Sequence, residues 1–293
     1  MSNDCEALRE QSSNIGNIAT KHPPLSAGLY VVSTPIGNLE DITFRAVRVL
    51  QSCDRIICED TRVSDKLLRH YGISKPLFAY HDRNADKVRP EILTWLQHNE
   101  AIALISDAGT PLIADPGFKL IKQCYEIGAS VTTVPGATAF VSACVLSGFS
   151  TNCITFLGFA GNLSDKTLLS WKNVDTTLVL FEAPHKLVKT LHKLREIMIG
   201  RAVAIAREIT KMYEEVTRGI FDEVIEHFAK HQPRGEFTIV LAPPFQLESS
   251  HQEILEELKK LLQTKSLKEA VAIVSDEFNC KKSDVYRMAL ELQ

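Results

Sequence analysis

The chain has 293 residues, of which 45% are hydrophobic and 24% charged, ordinary globular usage that excludes general disorder and fibrous repeats. A chain of this length is expected to form two domains plus an appendage. Its 33 Lys and Arg against 36 Asp and Glu give a formal charge of -3, so no overall basic field attracts nucleic acid, and any RNA contact has to be a local patch.

Residues 1–27 are polar, end in Pro23-Pro24 and read as a flexible leader. Asp4, Glu6, Arg9 and Glu10 interrupt the apolar stretch that a signal peptide needs, and no later run approaches the ~20 apolar residues of a membrane span. A cytoplasmic location without membrane contact is therefore expected.

From Gly28 short apolar runs alternate with amphipathic stretches. Leu29–Val32, Arg55–Cys58, Leu77–Tyr80, Ala101–Ile105 and Val131–Val134 read as strands, and Ile42, Ala46, Val49 and Leu50 share one helical face between the first two. Alternating β and α elements predict a mostly parallel sheet. The ligand crevice of such a sheet lies beyond the carboxyl ends of its strands, so the loops after Val32, Ile105 and Val134 carry the chemistry.

The break Ser147-Gly148-Phe149-Ser150 separates a leading unit, 28–148, from a second α/β unit, 149–245. Strands are expected there at Ile154–Phe159, Thr177–Phe181, Ala202–Ala206 and Phe237–Leu241, with Leu187, Leu191, Leu194 and Met198 as a helical stripe. Pro243-Pro244 ends the last strand, and 246–293 reads as a helical appendage with Ser266 and Ser283 as candidate N-caps. Its short helices suit a helix-turn-helix or, equally, a packing or dimerisation element.

The seven cysteines (Cys5, Cys53, Cys58, Cys124, Cys144, Cys153 and Cys280) form no CxxC pair and no Cys/His cluster with zinc spacing. Reduced, mostly buried thiols and no metal site are expected.

The loop Ser33–Leu39 is a Pro/Gly turn opening toward a helix, a junction that offers free amides to an anionic group but also serves as a plain βα connection. It lacks GxGxxG, so the dinucleotide fingerprint is missing. The run Ser106–Gly117 packs two glycines, two prolines and the carboxylates Asp107 and Asp115 into one loop, more than a simple turn requires.

Together with Thr34-Pro35-Ile36-Gly37-Asn38 and Pro135-Gly136-Ala137-Thr138-Ala139, that run resembles the tetrapyrrole methylase superfamily. Within it, Cys58–Arg62, Tyr80–Asn84, Glu182–Lys186 and Ala206–Lys211 are similar to the motifs of the ribosomal RNA small subunit methyltransferase I family. The resemblance runs from Gly28 to Pro243 and, less distinctly, through the tail.

It implies a two-domain, tetrapyrrole-methylase-like (class III methyltransferase) α/β fold with a small C-terminal helical appendage. It further implies a homodimer that binds S-adenosyl-L-methionine between its two domains and methylates a decoding-centre cytidine of 16S rRNA at the ribose 2′-oxygen. Carried over by motif, the cofactor contacts are Pro35; Asp107, Ala108, Gly109, Thr110, Pro111, Ile113 and Ala114; Thr138 and Ala139; and Phe181, Glu182 and Ala183. Two departures stand out. Ala137-Thr138 replaces the family's usual Pro-Ser, and the loop after Phe159, basic in the family, is nearly uncharged here, leaving Lys166 and Lys172 to compensate.

A sulfonium methyl is already activated, so the protein has mainly to align the reacting atoms and exclude water. A ribose hydroxyl is weakly acidic, which makes Glu59, Glu182 and His185 candidates for the proton acceptor and Arg62, His81, Arg83, Arg207 and Lys211 candidates for gripping RNA. The same residues also suit an interdomain salt-bridge network. A small-molecule methylase on a tetrapyrrole and a noncatalytic ribosome assembly factor are the competing readings.

Overall fold

The computed structural model describes residues 23–115, 117–230, 232–245, 251–278, 280 and 282–292, so most of the expected leader, together with Cys5, lies outside the described residues. Five parallel strands, β1 (Gly28–Val32), β2 (Arg55–Cys58), β3 (Leu77–Ala79), β4 (Ala101–Ile105) and β5 (Val131–Val134), form the first sheet in the order β3-β2-β4-β1-β5. These match the apolar runs because a parallel strand covered on both faces has no solvent side to alternate toward. Helices α1 (Phe44–Ser52) and α2 (Thr61–His70) pack on one face through Ala46, Val49, Leu50 and Leu68. Helices α3 (Ala85–Gln97) and α4 (Phe118–Glu126) cover the other through Ile92, Trp95, Leu96, Leu120 and Cys124.

Helix α1 starts where the Thr43 hydroxyl accepts the Ala46 N–H at 3.0 Å, and α2 where Asp60 accepts the Arg62 N–H at 2.9 Å. Helix α5 (Ala139–Ser147) is apolar along most of its length; it buries Ala143, Cys144 and Ser147 and leaves Val141 and Val145 exposed. Gly148 ends it at φ 73°, a left-handed stop that L side chains rarely adopt.

The second sheet has the order β6-β7-β10-β8-β9, with β6 (Ile154–Phe159) parallel to β7 (Thr177–Glu182) and the remaining pairs antiparallel. Strands β8 (Val203–Arg207) and β10 (Phe237–Leu241) fall within a residue of expectation. Strand β9 (Glu215–Gly219) has no apolar run to reveal it; it is an edge strand whose pairing with β8, from Val203 opposite Gly219 to Arg207 opposite Glu215, creates it.

Period-2 alternation divides the second sheet's side chains between two cores. Leu178, Leu180, Val203, Ile205, Ile239 and Leu241 face α7 (Leu187–Ile197) and α8 (Phe221–Lys230), where Leu187, Leu191, Leu194 and Met198 are all fully buried. Helix α6 (Asp165–Trp171) adds Leu168 to that core. Val179, Ala204, Ala206 and Val240 face the other way, toward Ala143 and Cys144 of α5. The small side chains of Ala204 and Ala206 let the helix approach the sheet closely.

The tail is three helices, α9 (His251–Leu262), α10 (Leu267–Glu277) and α11 (Lys282–Leu290), around a core of Leu258, Ala270, Val274, Val285 and Ala289. Ser266 forms a capping box with Glu269, whereas Ser283 lies inside α11, which already begins at Lys282. Of the described cysteines, Cys53, Cys58, Cys124 and Cys144 are buried free thiols, Cys280 is half-buried and Cys153 is exposed. Among the described residues no helix is long and apolar enough to cross a membrane.

Arg201, only 4% exposed, donates to the carbonyls of Trp171, Lys172, Val174, Thr176 and Ala242. Burial draws its pKa down to about 10, which leaves it charged at neutral pH. It ties the loop before β7 to the end of β10, and its loss would strand buried carbonyls. Arg201→Ala is expected to lower stability by about 3 kcal/mol in urea unfolding followed by circular dichroism.

Candidate active site

Because β1 lies between β4 and β5, the three loops that follow these strands are neighbours at one edge of the sheet. Hydrogen bonds join them. Thr34 and Gly109 exchange both backbone bonds, Thr34 N to Gly109 O at 2.8 Å and Gly109 N to Thr34 O at 3.1 Å. The Ser33 and Thr110 hydroxyls are 2.9 Å apart, and Thr110 also donates to the Ala137 carbonyl at 3.2 Å. Gly109 sits at φ 82° with Ile36 packed against it, so an added Cβ would meet both a strained backbone and a filled space.

Opposite these loops stand the carboxyl end of β7, the start of β10 and Ile209. Between the two sheets lies a cavity of ≈ 380 Å³, within the range of small-molecule sites. Ile36, Phe159, Phe181, Ile209 and Phe237 give it apolar walls, and Asp107, Asp115, Glu182 and Glu236 give it carboxylates. Phe181 is braced edge-on by Phe156 and Phe159, and Phe156 stacks on Phe140 of α5 at 4.9 Å, so a chain of rings runs from the shared helix to the cavity wall.

Of the expected cofactor contacts, Asp107, Ala108, Gly109, Thr110, Ile113, Ala114, Thr138, Ala139, Phe181, Glu182 and Ala183 line this cavity. Pro35 and Pro111 do not; both are buried in their loops. Asp115, whose loop the sequence marked out, lines it too, whereas Ile36, Phe159, Pro184, Ile209 and the Gly235–Thr238 strand start were not among the expected contacts. The last of these carries no motif, and only the antiparallel pairing of β10 with β7 and β8 brings it to the site.

The candidate proton acceptors separate. Glu182 lines the cavity, is 4% exposed, and has both oxygens engaged, accepting from the Ala183 N–H at 2.8 Å and the Thr190 hydroxyl at 2.6 Å. His185 is exposed, one residue beyond the cavity lining. Glu59, at the end of β2, lies off the cavity wall among other carboxylates; burial and the nearby Asp107 and Asp82 push its pKa up. Asp107 accepts the Asp60 N–H at 3.1 Å.

The candidate RNA contacts separate too. Arg62 is exposed and forks onto Asp60, which holds that carboxyl down at about 2. Arg83 is exposed, and His81 is half-buried with no hydrogen-bond partner for Nδ1 among the described residues. Arg207 donates to the Arg234 carbonyl at 2.9 Å and to Glu215 at 3.3 Å. Lys211 bridges Glu208 and Glu236, each at 2.9 Å, while its stem lies so close to Gly37 that a Cβ there would overlap Lys211 Cγ. With the Asn38 N–H donating to Thr210 at 3.1 Å, Lys211 belongs to a contact between the two halves of the cavity. After Phe159 it is Lys186, rather than Lys166 or Lys172, that lies over Gly161.

Residues 28–225 match the family model described as Tetrapyrrole (Corrin/Porphyrin) Methylases, and residues 248–293 match the RsmI C-terminal HTH domain. The chain is 39% identical over 274 residues to ribosomal RNA small subunit methyltransferase I of Synechocystis, an alignment covering 90% of this chain and 98% of that one. The Thermotoga maritima protein of that name is 44% identical over 216 residues, covering 73% of this chain and 97% of its own. The chain belongs to the ribosomal RNA small subunit methyltransferase I family. Solved structures of more distant proteins share the fold. Diphthine synthase superimposes with a TM-score of 0.58 at 12% identity, covering 73% of this chain and 89% of its own. Thermus thermophilus uroporphyrin-III C-methyltransferase complexed with S-adenosyl homocysteine gives 0.53 at 18%, covering 73% and 97%. In this family member the tetrapyrrole-methylase fold thus carries the added three-helix tail.

Asp115 yields a prediction that needs no substrate. Burial, then Glu59, and less strongly Asp107, push its pKa up to about 6, while the Ser106 hydroxyl pulls the other way. An acid whose folded pKa is raised above its unfolded value of roughly 3.9 contributes stability that is complete below that value and is lost as pH rises through about 6. Asp115→Asn is therefore expected to melt higher than the unsubstituted protein at pH 7 and at the same temperature at pH 4, measured by differential scanning calorimetry.

Proposed function

We propose that this chain transfers the methyl group of S-adenosylmethionine to the ribose 2′-hydroxyl of a cytidine in 16S rRNA of the small ribosomal subunit, acting in the cytoplasm as a homodimer. The observation that carries the reading is the cavity itself: three hydrogen-bonded loops of a parallel sheet facing an aromatic wall from a second sheet. Its chemistry fits the donor. Ile36, Phe181 and Phe237 would take the adenine, and the carboxylate Asp107 suits a molecule bearing ammonium and sulfonium charge. The donor supplies an activated methyl; the protein's share is orientation and exclusion of water.

We assign donor binding to units 28–148 and 149–245 jointly, with Pro35 and Pro111 shaping the loops from behind. RNA docking or dimer contact falls to 246–293, in keeping with the helix-turn-helix description of that segment. Arg62, His81 and Arg83 would meet the RNA at the rim of the first sheet. Arg207 and Lys211 would contribute only by exchanging carboxylate partners for phosphates.

Small subunits lacking the modification, incubated with the chain and labelled S-adenosylmethionine, are expected to gain label in 16S rRNA, and mass mapping is expected to find it on one ribose-methylated cytidine. Label appearing on a porphyrinogen and not on RNA would replace this reading with a small-molecule one, and donor binding without transfer to any ribosomal particle would favour an assembly factor. Arg62→Ala and Arg83→Ala are each expected to raise KM for small subunits about fivefold with kcat little changed. Each should also flatten the salt dependence of binding by a slope of about one, as loss of a phosphate contact requires.

A further inference from the structure

We propose that Asp115 accepts the proton of the attacking ribose hydroxyl, an assignment that rests on the methyl-transfer reading above. Four observations lead to it. Asp115 lines the cavity at the far end of the loop that begins with Asp107, so it faces the same space as the bound donor. Two non-glycine residues just before it, Leu112 at φ 73° and Ala114 at φ 64°, hold the left-handed conformation that L side chains rarely adopt, and Asp115 returns beside Ser106 at the start of the loop.

Among the described residues Asp115 has no salt-bridge partner, whereas Asp60 is neutralised by Arg62, and Glu208 and Glu236 by Lys211. Glu182, the only earlier candidate on the cavity wall, has both oxygens bound. The charged groups near Asp115 are carboxylates, Glu59 from the end of β2 and Asp107 from its own loop, beside the Ser106 hydroxyl; Glu59 in turn lies near His81, Asp82 and Asp60. Like charges around a buried acid make the protonated form accessible near neutrality, where a general base is most effective.

The step balances within the reactants. The hydroxyl proton passes to a carboxylate oxygen of Asp115, the ribose oxygen forms the new O–C bond, and the electron pair of the broken C–S bond stays on sulfur. The acid then releases its proton to solvent.

The test compares Asp115→Asn and Asp115→Glu with the unsubstituted full-length chain. Asp115→Asn is expected to bind S-adenosylhomocysteine within threefold by calorimetry and to lose about 100-fold in single-turnover transfer to small subunits. The rate of the unsubstituted protein should rise with pH through about 6 and then level off. Asp115→Glu should recover part of the rate, with the inflection displaced. Transfer by Asp115→Asn at the unsubstituted rate overturns the proposal alone, as does a loss of homocysteine-ligand affinity beyond tenfold, which would make Asp115 a donor contact. A pH profile without inflection between pH 5 and pH 8 also overturns it, whether or not the variants fold. An unsubstituted protein that binds the ligand yet labels no small subunit overturns the substrate reading, and this proposal with it.

Discussion

Helix α5 is the constraint on which the rest depends. It leaves the first sheet through the third cavity loop and packs Ala143 and Cys144 against Val179, Ala204, Ala206 and Val240 of the second sheet. Its buried face is held by the second sheet and by Ile36 of the first cavity loop, while Val141 and Val145 stay exposed, so one helix links two sheets that share no strand. Arg218 of β9 completes the joint by donating to the carbonyls of Leu146 and Ser147 at the helix's last turn, where backbone acceptors lack intrahelical partners. The cavity lies beside this joint, so its width is set by packing rather than by the loops alone.

Around the joint the polar groups divide by task. Neutral hydrogen bonds among Ser33, Thr34, Gly109, Thr110 and Ala137 fix the three loops to one another without charge. An ionic contact reaches the cavity wall, where Lys211 ties Glu208 to the lining carboxylate Glu236 and packs on Gly37. Among the described residues Asp107 and Asp115 make no ion pair, which leaves them unlike Glu236, already held by Lys211.

The formal charge of -3 supplies no overall basic field. Among the candidate cations, Arg62 and Arg83 are exposed, while Arg207 and Lys211 are engaged by carboxylates. After Phe159, Lys186 of the Glu182–Lys186 motif lies against Gly161.

Sequence alone determined the local order: the parallel strands, the Leu187–Met198 stripe, the capping of α10 by Ser266 and the three loops at the strand ends. Each depends on neighbours a few residues apart, and hydrophobic period and turn chemistry report such neighbours directly. Tertiary structure alone decided which side chains share the cavity and which are already spent. Strand β9 forms, and the Gly235–Thr238 wall reaches the site, only through antiparallel pairing, and Arg207, Lys211 and Glu182 acquired intramolecular partners that no motif displays. The physical reason is distance along the chain: Asn38 meets Thr210, and Glu59 acts on Asp115, across separations at which a linear pattern carries no information about contact.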